Sequence, residues 1–161
     1  MTASIWTVPA HRLDAAAARR TILIQHDRIR TLLEHARDVA ERALDQAEVA
    51  PDAVASAIGD IHATLEVHLT FEEKVLVEIF NDDIPLGPLR AERLREEHAQ
   101  QRATLAGLHA EAKAAPQLPM LAAKLAFLTS WLLEDMSEEE RTVLHPDVLR
   151  DDLIAIDQSD G

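Results

Sequence analysis

Residues 54–79 carry a seam that alternates steps of four and three: Val54, Ile58, Ile61, Leu65, His68, Glu72, Val75 and Ile79. Leu121, Leu125, Leu128, Leu132, Asp135, Glu139 and Thr142 repeat it, each 67 residues after its counterpart. That spacing belongs to a helix whose apolar stripe faces other helices, not to a strand, whose side chains alternate with period two. Two shorter seams sit between them. Ile22, His26, Ile29, Leu33 and Ala36 match Leu94, His98, Gln101, Leu105 and Leu108 at an offset of 72. Four long helices in two similar pairs follow. Pro51, the "NDDIPLGP" stretch at 81–88 and the "AAPQLP" stretch at 114–119 break the chain between them. The expected helices are 13–48, 52–80 with Asp52 as its cap, 88–113, and 118–145. Short connections make neighbours antiparallel, so the fold class is all-α, an up-down-up-down four-helix bundle. One domain over 13–148 is expected, with an extension at 1–12 and a tail at 149–161.

The seams are interrupted by polar residues at positions that point into the core. His26, His68, Glu72, His98, Asp135 and Glu139 stand where apolar side chains would otherwise pack. A buried ionisable group without a partner costs several kcal/mol, so each must be paired, neutralised or bound to a metal. At about 1.5 Å of rise per residue, all six fall within about two turns of one level of the bundle. Three imidazoles and three carboxylates there suit iron, manganese or zinc. Six side chains exceed one tetrahedral site, two symmetrically placed glutamates can bridge, and three carboxylates call for more than one divalent ion. Two metals are therefore expected.

Charge and composition remove other functions. A formal net charge of −13 argues against nucleic acid and against anionic membrane surfaces. With no cysteine there is no disulfide, thiolate site or Cys nucleophile. The first twenty residues lack a secretory pattern and no apolar run approaches about 18 residues, so a soluble cytoplasmic protein is expected.

At these residues the chain resembles the hemerythrin-like (HHE cation-binding) family. The resemblance is carried by His26 in "IQHDRIR", His68 and Glu72 in "HLTFEEKVL", His98 in "EEHAQQR" and Glu139 in "MSEEERTVL". It implies two iron ions with an oxo or hydroxo bridge, and binding or sensing of dioxygen, nitric oxide, peroxide or iron itself. His26, His68 and His98 would be terminal ligands, and Glu72 and Glu139 bridges. Asp135 departs from the pattern, standing where the family has a fourth-helix histidine, as a terminal ligand or beside a vacant position. Arg102 stands where oxygen-carrying members have a second third-helix histidine. Ferritin-like di-iron bundles match less well, because they use Glu-x-x-His and no glutamate stands three before a histidine here. Two other readings use the same residues: a metal-depleted bundle acting as a protein interaction module, and a peroxide-decomposing or oxidase enzyme. The protein partner is not legible.

The flanking residues are assigned ordinary places. Gln101 is expected to hydrogen-bond a ligand or bound water. Glu73, Glu138 and Glu140 are expected on a solvated face, with Glu66 and Glu134 exposed. His62 should pack beside the core or be exposed, His145 should cap the last helix, and His11, His35 and His109 should lie at the surface or the bundle ends.

Overall fold

The computed structural model describes residues 15–45, 49–83, 86–114 and 117–149. Four helices follow one another: α1 (Ala15–Leu44), α2 (Pro51–Asp83), α3 (Gly87–Lys113) and α4 (Leu118–Arg141). They pack as an up-down four-helix bundle. Contact is extensive for α2 with α3, α1 with α4 and α1 with α2, and sparse for α3 with α4.

Helix ends differ from the sequence expectation by a few residues, each for a local reason. Pro51 opens α2, where its missing N–H costs nothing. Asp52 therefore lies inside the first turn, favourable to the helix dipole, and does not cap the helix from outside. At its other end α2 runs on to Asp83, and the turn into α3 passes through Leu86 in the left-handed region (φ 61°). Gly87 follows, and a Cβ there would overlap the carbonyl of Phe80, so α3 can start this close to α2 only with glycine. α4 stops at Arg141, short of His145, which leaves Thr142 exposed. The chain then turns so that Leu144 is fully buried and its carbonyl accepts from Arg19 Nε at 2.5 Å. His145 organises that turn, its Nδ1 accepting from the backbone N–H of Asp147 at 3.2 Å. Residues 1–14, 46–48 and 150–161, and with them His11, the N-terminal extension and nearly all of the expected tail, lie outside the described residues.

Two apolar clusters build the interior. The larger joins all four helices through residues such as Leu33, Ile58, Leu105 and Leu128. The smaller gathers Ile22, Leu76, Phe80, Ala91, Leu94, Leu144 and Leu149 near the α2–α3 turn. Each fully buried Leu or Ile contributes about 1.5–3 kcal/mol of transfer free energy, so these clusters fix the helix register. His26, Glu72 and His98 lie along their helices between members of the two clusters. The polar layer is thus clamped from both sides by packed hydrocarbon. Among the described residues, no helix is long and apolar enough to cross a membrane.

Candidate metal centre

Every helix delivers side chains to this layer. His26 and Glu72 are fully buried, and His68 and His98 nearly so. Glu72 is the hub. Its Oε1 lies 3.4 Å from His26 Nε2 and 3.3 Å from His68 Nε2, while its Oε2 lies 3.4 Å from His98 Nε2. Glu139 Oε2 lies 3.5 Å from His26 Nε2. Two groups whose ligand atoms fall within 4.8 Å of one another result: His26, His68 and Glu72, and Glu72, His98 and Glu139. They share Glu72, which presents one oxygen to each imidazole set.

His26 Nε2, both oxygens of Glu72 and Glu139 Oε1 are buried without a hydrogen-bond partner. Buried polar atoms in native folds are almost always satisfied, and each orphan costs about 1–3 kcal/mol. Four converging orphans, all of metal-ligand type, fit a cation site. The donor set is right for a metal, and among the described residues no protein group hydrogen-bonds these atoms.

The imidazoles are aimed from behind. Each points Nε2 inward because its Nδ1–H donates outward: His26 to Glu140 at 2.8 Å, His68 to Gln25 Oε1 at 2.8 Å, and His98 to Glu73 at 3.2 Å. Arg30 Nη2 holds Glu140 at 2.6 Å, and Arg102 Nη1 holds Glu73 at 2.5 Å. This outward bond fixes tautomer and ring orientation and raises the basicity of the inward nitrogen. Glu73 and Glu140 therefore do not lie on the solvated face expected from sequence. Glu138, Glu66 and Glu134 are exposed as expected. The signal was present in the repeat: Glu73 and Glu140 follow Glu72 and Glu139, and Arg30 and Arg102 each stand four residues after a core histidine. Arg102 thus occupies the position of a missing histidine with a different task, and its Nε also reaches Glu66 at 3.1 Å.

Asp135 breaks the pseudo-symmetry. It is half-buried and belongs to neither ligand group; the buried Gln101 donates to its Oδ2 at 2.5 Å. The partner of His68 is Gln25, and the residue 72 further on is Glu97, whose carboxyl acts on Asp135. Burial first, and Glu97 next, push the Asp135 carboxyl above its ordinary range.

Charge in the cluster is divided unequally. Burial, then the neighbouring Glu72 and Asp135 carboxylates, push Glu139 well up. Burial acts the same way on Glu72, but the close imidazoles of His26, His98 and His68 outweigh it and hold Glu72 well below the usual range. Burial drives His68 down to about 4, so its ring is neutral and free to ligate. Burial also opposes charge on His26, but Glu72 and Glu140 together lift it above 6.5. For Glu73 and Glu140, burial would raise the carboxyls; hydrogen bonds from Arg102 and from His26 with Arg30, respectively, prevail and keep them ionised.

A four-helix bundle with a buried layer of three histidines and two glutamates, sharing one central carboxylate, defines a cation-binding helical domain. Comparison with family models matches the hemerythrin HHE cation binding domain over residues 18–145, and the chain belongs to that family. Searches of curated proteins and of solved structures gave no significant match.

Proposed function

We propose that this chain is a cytoplasmic non-haem di-iron protein that binds or senses dioxygen, nitric oxide, peroxide or iron through its core cluster. His26 and His68 with one oxygen of Glu72 would hold one ion. His98 and Glu139 with the other oxygen would hold the second, with Asp135 as its terminal ligand or beside an open position. Iron would supply open coordination positions and a one-electron change at each centre; manganese or zinc fits the same donors. The observation that carries this reading is the division of Glu72 between two ligand groups.

The chain's own part is to aim and to exclude. Glu140, Gln25 and Glu73 hold the imidazoles with Nε2 inward, and the two apolar clusters close the layer above and below along the bundle axis. Carboxylates outside the imidazoles favour the higher oxidation state, which weighs towards sensing or oxidant chemistry over reversible oxygen carriage. A metal-free interaction module is less well supported, because it would leave four buried ligand atoms unsatisfied.

The test is the absorption spectrum of iron-reconstituted protein. A band near the ultraviolet–visible boundary that is lost in Glu72→Ala is expected. Colourless protein with no retained iron would overturn the reading.

A further inference from the structure

The sparse packing of α3 against α4 leaves an opening beside the cluster. A cavity of about 350 Å³ runs between these helices. Its floor is His98, Gln101, Asp135 and Glu139, the carboxylate-rich half of the layer. From there it extends toward the start of α3, where Leu89 and Leu94 face it with Val143 of the post-α4 turn. Leu89 is 60% exposed at this end. A second void of only about 10 Å³, among Leu65, Leu69 and Leu132, touches the same His98, Gln101, Asp135 and Glu139 and has room for about one water at most. The larger cavity thus reaches the cluster where the pseudo-symmetry is broken, at Asp135.

Volume selects what can use this path. A diatomic gas needs only a small fraction of 350 Å³, whereas that volume lies at the lower end of pockets that hold small organic molecules, about 300–1,000 Å³. Charge selects further. Without metal the floor is acidic; on the walls Arg93 is paired with Glu97 at 2.7 Å, and Arg90 and Glu138 add one charge of each sign. Two divalent ions would outweigh the carboxylates Glu72, Glu139 and Asp135 and turn the floor positive. The leucine and valine wall suits an apolar body.

Resting on the metal reading above, we infer that the α3–α4 cavity binds a small organic acid, its carboxylate toward the Asp135 side of the loaded cluster and its apolar body against Leu89, Leu94 and Val143. Glu139, whose Oε1 is buried without a partner, lines this cavity. Because the floor changes sign on loading, the cavity accepts an anion only in the metal-bound protein.

The probe is sodium benzoate, too large for the smaller void, with acetate as the short-bodied control. Calorimetric titration uses ferrous protein under argon, with iron per chain counted in the same samples, and metal-free protein alongside. Benzoate is expected to bind the loaded protein at least tenfold more tightly than acetate and to give no heat with metal-free protein. Leu89→Trp, at an exposed position, should narrow the cavity and weaken benzoate at least tenfold with iron content unchanged. Loaded protein that binds benzoate no better than acetate, or equally well in the Leu89→Trp variant, would overturn the cavity assignment alone. A chain that takes up no iron would overturn the metal reading itself, and this inference with it.

Discussion

The support behind His26 gives the sharpest quantitative expectation. Glu140 accepts from His26 Nδ1 at 2.8 Å and from Arg30 at 2.6 Å, and both bonds are charge-assisted. Glu140→Gln keeps an acceptor of nearly the same shape but loses the charge; Glu140→Leu loses both. Removing such an outer partner costs about 10–100-fold in metal affinity, or about 1.4–2.7 kcal/mol at about 1.4 kcal/mol per factor of ten. The glutamine variant should sit near tenfold and the leucine variant near a hundredfold. Because His26 belongs to the imidazole-rich half, iron should fall from about two toward about one per chain when a competing chelator is present. The assay is a ferrous iron titration against a chromophoric chelator. Glu140 is a quarter exposed and Glu140→Gln keeps an acceptor for the buried His26 Nδ1–H, so the glutamine variant should change the stability of metal-free protein by less than about 1 kcal/mol, whereas the leucine variant orphans that N–H and should cost about 1–3 kcal/mol. That separates the metal effect from unfolding. A leucine variant that holds two irons with unchanged affinity would refute the assignment of His26 as a supported ligand.

The other expectations concern the scaffold and the bound state. Chelation of loaded protein should lower Tm: at a free metal level about 100 times Kd, linkage supplies about 2.7 kcal/mol, or about 5–10 °C for a domain of this size. Unchanged thermal unfolding would argue for a metal-free module. Gly87→Ala should destabilise by about 3 kcal/mol, since its Cβ meets the fixed backbone of Phe80 and not a movable side chain. Chemical denaturation reads this, and a near-neutral result would mean that the α2–α3 turn relaxes freely.

Most of the fold was legible because the apolar seams are long, repeated and broken by proline. The candidate cluster was legible for a related reason: His26, His68, Glu72, His98 and Glu139 interrupt those seams, and buried ionisable groups must find partners. Seam reading assigns each helix a single inward stripe, and this is where it fell short. Glu73 and Glu140 stand about 100° round the helix from the ligands they follow, a direction that leads to the side of the neighbouring imidazole and its arginine. Asp135 shares the register of His68, but its short side chain is captured by Gln101 on the adjacent helix. Thr142 fits the seam by spacing and yet is exposed, because the helix ends one residue earlier and Leu144 takes the buried place. His62, expected beside the core or exposed, and His109, expected at the surface or a bundle end, stack on each other with ring centroids 4.8 Å apart. No pattern within a single helix predicts a contact between two.

Metal content per chain, measured for protein expressed in iron-supplemented medium with wild type and Asp135→His side by side, tests the central claim most directly. About two irons per wild-type chain are predicted, with Asp135→His at least as well loaded. A wild type near zero, with iron only in the histidine variant, would contradict it: this hemerythrin-family bundle would then have given up its metal at Asp135.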